Sequence, residues 1–307
     1  MIFEAVQLYY VEHLTMGAIA SRLGVSRPTV SRLLKEARET GLVSIRINEA
    51  HRPKKPLEQR LADLYRVRTQ VVPLPAHASD AMALRTVTAA AATLLDSLMV
   101  SGTTLGVAWG STVTELAQFL PKRPLEDVTI VQLNGAGNAH HTGIPYSGAI
   151  LGHIASAYEA QMVHFPVPAF FDYAETKAAM WRERSVRGVL AVQRSADIAL
   201  FGVGAFGGAI PSHVYSGGYF DPDQLAGLRS EGIVGDMCTV MVREDGTWAD
   251  LAVNARATGP TPAELTRIGR RICVATGVHR AAALRGALRT GAITDLVVGQ
   301  TLAEQLV

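Results

Sequence analysis

The most restrictive stretch of the chain runs from Thr15 to Gly41, where residues that start and stop helices fall at short, fixed intervals. Thr15 is placed to cap a short helix, Met16 to Leu23, which Gly24 ends. Ser26 can cap a second helix, with Pro28 in its first turn, running through Thr29 towards Gly41. Ahead of both, Val6, Leu8, Tyr9 and Leu14 read as one amphipathic helix. The small Ala20 sits where two helices must cross closely, and Gly24 fills a turn that needs positive φ. Ile19, Leu23, Val25, Val30 and Leu33 then fall on the buried side. Together these positions meet the steric demands of a helix-turn-helix.

After Gly41, the run Leu42–Asn48 alternates apolar and polar residues as a half-buried strand does, which predicts a winged variant. The third helix would lie in a DNA major groove, with Val30, Leu33, Leu34 and Ala37 turned inward. Ser26, Arg27, Thr29, Ser31, Arg32 and Lys35 are the candidate DNA contacts. Arginine can read guanine bidentately, whereas lysine and hydroxyls more often position phosphates. Charge agrees. Residues 1–55 hold nine basic and five acidic side chains, a formal +4 in a chain of net +2, so the remainder is −2.

The remaining body is long enough for a sizeable core, and 48% hydrophobic residues exclude disorder as its dominant state. No run approaches the roughly 20 apolar residues that span a bilayer, and Met1–Val11 does not read as a signal peptide. Cys238 and Cys273 are too few for a disulfide framework or a thiolate zinc site, and each sits in an apolar run. These features predict a soluble, cytoplasmic chain with no membrane partner.

Past the basic, proline-containing segment Pro53–Pro56, Leu57, Leu61 and Leu64 repeat at helical spacing. We divide the chain into a DNA-binding domain (1–52), a linker with a connecting helix (53–66) and an effector and oligomerisation domain (67–307). Strand-like runs are Thr69–Leu74, Thr104–Ala108, Val128–Leu133, Met162–Val167, Ile198–Val203, Thr239–Val242, Arg271–Ala275 and Leu296–Val298. Helical runs lie between most of them, at 80–99, 112–120, 147–160, 175–182, 185–194, 262–268, 279–289 and 301–306. That alternation predicts an α/β fold, a doubly wound and mainly parallel sheet behind a small all-α winged head. Thr239–Asp250, with Asp245-Gly246 as its turn, reads as a local hairpin.

Ligands of such sheets bind beyond the carboxyl ends of the strands. Glycine recurs there, in Gly106–Thr112, Asn134–Gly137, Gly202–Gly204, Gly235-Asp236 and Thr276–Arg280. Gly110, Ser111 and Thr112 open a helix and can offer N–H groups and hydroxyls to an anion. Arg280 can supply a cation, and Asp236 an acceptor for sugar hydroxyls. Trp109, Asn134, Gly135 and Gly277 complete the candidate effector residues. The pattern points to a small anionic polyhydroxy ligand.

Other chemistry is not supported. His140, His141, His153 and His164 lack metal-ligand spacing, and no nucleophile elbow or Walker-type loop is present. Gly202-Val-Gly204-Ala-Phe-Gly207 has dinucleotide spacing after a strand, but Gly208-Ala-Ile-Pro-Ser does not continue as a helix. No catalytic residue, metal or cofactor is expected.

Taken in order, the segments resemble the SorC-type sugar-binding transcriptional regulators over essentially the whole chain. The resemblance rests on Ile19–Arg38, Gly106–Val113, Pro166–Ala169, Ala196–Gly204, Ser216–Tyr219, Gly232–Cys238 and Ala275–Leu284. It implies an effector domain related in fold to ribose-phosphate isomerases and glucosamine-phosphate deaminases, sugar-phosphate inducers, and dimers or tetramers. It further implies that Gly110, Ser111 and Thr112 hold a phosphate, that Asp236 meets sugar hydroxyls, and that Arg280 replaces the usual lysine. The chain departs from the pattern at Thr276, at Thr239 and at Val298-Gly299-Gln300, where relatives carry glycine, glycine and Thr-Asp-Glu. A free sugar or polyol therefore stands beside a sugar phosphate as the expected effector. The expected function is operon regulation through double-stranded operator DNA. The alternatives are an isomerase- or deaminase-like enzyme with a DNA-binding head, and a DNA-binding protein whose body only oligomerises.

Overall fold

The computed structural model describes residues 1–43, 56–75, 77–140, 142–208 and 212–307. Most of the strand expected at Leu42–Asn48, the segment Pro53–Lys55 and His141 lie outside them. The chain divides into two compact units, Met1–Pro53 and Lys54–Val307.

In the first unit, α1 (Ile2–Val6) runs on as a π-helical turn (Gln7–Val11), followed by α2 (Met16–Leu23) and α3 (Arg27–Glu39). Local chemistry accounts for each boundary. The Thr15 hydroxyl accepts from the Ala18 N–H and the Ser26 hydroxyl from the Thr29 N–H, both at 3.3 Å. Gly24 takes φ +65° and donates its N–H to Ala20 O, ending α2. Ala5, Leu8, Ile19, Ala20, Val30 and Leu34 form the core, with Leu23, Val25 and Leu33 partly buried against it.

The second unit begins with α4 (Pro56–Tyr65), β1 (Arg68–Val72) and α5 (Asp80–Leu98). Then come β2 (Thr104–Val107), α6 (Ser111–Ala117), β3 (Thr129–Gln132), α7 (Ile144–Tyr158) and β4 (Gln161–Val163). Next are α8 (Ala174–Met180), α9 (Arg184–Arg194), β5 (Ile198–Ala205), α10 (His213–Ser216) and α11 (Pro222–Ser230). The chain continues through β6 (Ile233–Met237), β7 (Val240–Arg243), α12 (Pro262–Leu265) and β8 (Arg270–Ala275). It finishes with α13 (Ala281–Arg289), β9 (Asp295–Gly299) and α14 (Gln300–Ala303). Seven strands form a wholly parallel sheet in the order β1-β9-β8-β5-β2-β3-β4, with an apolar core on each face. No described helix is long and apolar enough to cross a membrane.

The hairpin differs from the sequence expectation. Its strands are β6 and β7, joined by Cys238-Thr239, so the partner of the Thr239–Val242 run lies upstream rather than beyond Asp245-Gly246. Gly235 hid this strand by breaking its apolar run, and the reason is packing. β6 lies antiparallel on the end of β5, and a Cβ at Gly235 would meet Gly204 O at 2.1 Å. Cys238 and Thr239 both take positive φ, +51° and +70°, in the mirror-image turn that matches strand twist. For a β-branched residue that conformation is strained by about 1–2 kcal/mol. Thr239 is held there by its N–H to Asp236 Oδ2 (3.1 Å) and by its hydroxyl, which accepts from the Gly259 N–H at 3.3 Å.

At the opposite edge of the sheet, buried Asp295 receives Arg68 Nε and Nη2, each at 2.8 Å, and Arg270 Nη2 at 2.8 Å. The Thr294 hydroxyl donates to it as well. Burial opposes the charge of Asp295, but these donors outweigh it and hold the carboxyl below its usual range. Tyr65 adds a second tie between distant segments, its hydroxyl donating to Leu306 O at 2.9 Å.

Candidate effector pocket and nucleic-acid interface

On α3 the outward residues are Ser26, Arg27, Ser31, Arg32 and Lys35, all exposed, with Thr29 partly buried. The Thr29 hydroxyl lies 2.8 Å from the Ser26 hydroxyl, so it reinforces the cap. Lys35 pairs with Glu39 one turn on, at 3.5 Å. Arg27 and Arg32 form no ion pair among the described residues, which leaves their guanidinium forks available at the N-terminal half of the helix.

In the second unit, β5 is the longest strand, and its Val203–Ala205 end carries β6 in antiparallel register. Together they wall a cleft at the carboxyl edge of the sheet. Trp109, Gly110, Ser111, Thr112, Asn134, Asp236 and Arg280 all line it. Gly277 lines a small adjoining cleft, which shares Ser111 and Arg280 and also contains Asp80, Thr276 and His279. Gly135 lines neither. Its carbonyl accepts the Trp109 indole N–H at 2.8 Å, and a Cβ there would meet Pro168 O at 2.2 Å and Val167 O at 2.4 Å. Gly135→Ala is therefore expected to lower stability by about 1–3 kcal/mol, since backbone must shift, and thermal melting reads this directly.

The cleft also holds Gly202 and Gly204, from one of the glycine segments that follow strands, and Thr239, together with Ser212 and His213, which nothing in the local sequence marks. Gly204 explains itself, because a Cβ would meet Asp236 Oδ1 at 2.0 Å and Ser212 Oγ at 2.6 Å. Trp109 stacks on Tyr219 with centroids 5.6 Å apart, and the His213 ring stands edge-on to Trp109 at 5.7 Å.

Asp236 is fully enclosed. Burial raises its pKa from 3.8 to about 6, against the pull of the Tyr215 hydroxyl and the Thr239 N–H. Its Oδ1 has no hydrogen-bond partner among the described residues, and neither has Asn134 Oδ1. The native state therefore keeps a proton on Asp236 between pH 3.8 and about 6 that the unfolded chain has lost. This group's contribution to stability is full below that window and declines as pH rises through it. Asp236→Asn is expected to remove that decline from melting curves taken between pH 4 and 7. A slope identical to wild type would show that Asp236 does not titrate there.

Arg280 is buried at the other end of the cleft, with Nη1 donating to Thr276 O at 2.9 Å. Burial lowers its pKa and nearby Asp80 opposes this, yet a guanidinium stays cationic at neutral pH. Burial and the neighbouring Arg280 also lower the pKa of His279.

A family model described as "Putative sugar-binding domain" matches residues 53–307, and a MarR family model matches residues 6–52. The chain belongs to the SorC-type sugar-binding transcriptional regulators. The deoxyribonucleoside regulator of Bacillus subtilis is 30% identical over 99% of this chain and 96% of its own. The crystal structure of the full-length sorbitol operon regulator of Klebsiella pneumoniae superposes with a TM-score of 0.73 at 26% identity, covering 99% of this chain and 97% of that one. A domain of a "possible sugar-binding transcriptional regulator" from Arthrobacter aurescens is 41% identical, with a TM-score of 0.77 over 83% of this chain and 98% of that one. This SorC-type chain is thus a helix-turn-helix regulator with a sugar-binding domain, and the enzyme alternative is not favoured.

Proposed function

We propose that this regulator controls a carbohydrate or polyol catabolic operon, and that a small polyhydroxy effector in the cleft beneath Trp109 sets its affinity for operator DNA. The observation that carries this reading is the pair of buried acceptors without partners, Asn134 Oδ1 and Asp236 Oδ1, in one cleft. Buried polar atoms are almost always hydrogen-bonded, so two orphans at one cavity mark a place for a ligand's donors. Asp236 and Asn134 accept hydroxyls, Trp109 and Thr112 shape the wall, and Arg280 holds the far end. Ser26, Arg27, Thr29, Ser31, Arg32 and Lys35 form the operator contact. The protein works in the cytoplasm as a dimer or tetramer, with paired heads on a roughly palindromic site. Effector binding favours one arrangement of protomers and so changes operator affinity.

The test is operator binding titrated with and without a panel of sugars and polyols, in wild type and in Arg280→Ala. The variant is expected to bind operator normally and to lose the effector response. A normal response in Arg280→Ala would remove Arg280 from the site.

A further inference from the structure

Resting on the proposed effector cleft, we infer that its ligand is a neutral, unphosphorylated polyol or open-chain sugar, and that Asp80 is a residue selecting against phosphate esters. Three observations converge. The first is the charge of the lining. Across the two adjoining clefts the ionisable side chains are Asp80, Asp236 and Arg280, the imidazoles of His213 and His279, and the Cys238 thiol, which burial keeps neutral. With histidines neutral the formal charge is −1, and no lysine lines either cleft among the described residues. A phosphate dianion would enter a net-negative site, and like charges at close range disfavour that.

Secondly, Asp80 occupies the place that matters for an anion. It is the first residue of α5, with the Ser79 hydroxyl capping the helix, and it shares the smaller cleft with Arg280 and Ser111. The carboxylate therefore already balances the one cation, and Arg280 Nη1 is committed to Thr276 O.

Thirdly, the atoms awaiting a partner ask for hydroxyls. Asn134 Oδ1 and Asp236 Oδ1 can only accept, while Thr276 Oγ1 and His279 Nε2, also buried without partners, can take either role. A polyol supplies donors along its whole length. A phosphate ester at neutral pH supplies none at its charged end, and would face Asp80 there.

The experiment is thermal melting and calorimetric titration of the full chain. The probes are erythritol, xylitol and sorbitol, each beside its terminal phosphate ester, with inorganic phosphate alone as a further probe. The expected result is binding of a parent polyol about tenfold or more tighter than its ester, and no protection by inorganic phosphate. In Asp80→Asn the gap between polyol and ester is expected to narrow by about threefold, a modest change because the carboxylate is solvent-exposed. An ester that binds more tightly than its parent overturns the inference while leaving the effector cleft in place. So does a gap unchanged in Asp80→Asn, as regards the role of that residue. Absence of any shift with either form overturns the cleft assignment itself.

Discussion

Replacing Asp295 with alanine is expected to destabilise the effector domain by about 2–4 kcal/mol, near the lower end for breaking a buried ion pair because both arginines keep some contact with water. In a domain of this size that corresponds to a fall of roughly 5–12 °C in melting temperature. The physical reason is asymmetry. Removing the carboxylate leaves Arg68 and Arg270 side by side at the strand ends with nothing between them. The variant should also lose part of the wild-type decline in stability at low pH. Asp295 has a depressed pKa in the folded chain, so its contribution is present above the ordinary carboxylate range and lost as pH falls. Asp236 works in the opposite sense. A melting temperature within 1–2 °C of wild type, roughly the scatter for a surface change, would refute the structural role given to Asp295.

Arg32→Ala is expected to lower operator affinity by about 10- to 100-fold, the range for losing a bidentate base contact. The far-ultraviolet spectrum and the melting temperature should not move, since Arg32 is exposed and packs in no core. If Arg32 touches phosphate instead, the loss should be uniform across operator sequences, and the salt dependence should weaken by about one unit of slope. Unchanged affinity would exclude Arg32 from the interface.

Much of this molecule is written locally. Thr15, Gly24 and Ser26 announce their helices because a cap or a left-handed turn depends on one side chain and its nearest amides. The parallel strands are legible for a related reason, since strands buried on both faces read as short apolar runs such as Val128–Leu133. What escapes such reading depends on distant partners. Nothing near Gly235 reveals that it must lie against Gly204, so the local sequence favours a hairpin turning at Asp245-Gly246 and conceals β6. Ser212, His213 and Thr239 reach the cleft only through the way β5 and the hairpin meet. The start of α11 is just as local. Asp221, Pro222 and Gln224 form a full capping box that starts α11, with the Gln224 N–H donating to Asp221 at 2.8 Å. Two glycines differ in what they make room for. Gly204 clears space for Asp236, whereas Gly135, whose place after a strand suggests a ligand contact, clears space for backbone.

Among the described residues the edge strand β1 pairs with β9 alone, and Arg68 meets a carboxylate 227 residues away. During synthesis, residues 68–72 therefore leave the ribosome long before residues 295–299 exist to receive them. At about 5–20 residues per second, that interval lasts roughly ten seconds to the better part of a minute. Through it the two ends of the body remain unjoined, and α4 lacks the Tyr65 tie to Leu306 that only the finished segment supplies. A polypeptide interrupted before residue 295 therefore lacks both the strand beside β1 and the acceptor for Tyr65, and holds α4 through nearby contacts such as the Val71 N–H donated to Glu58 at 2.9 Å.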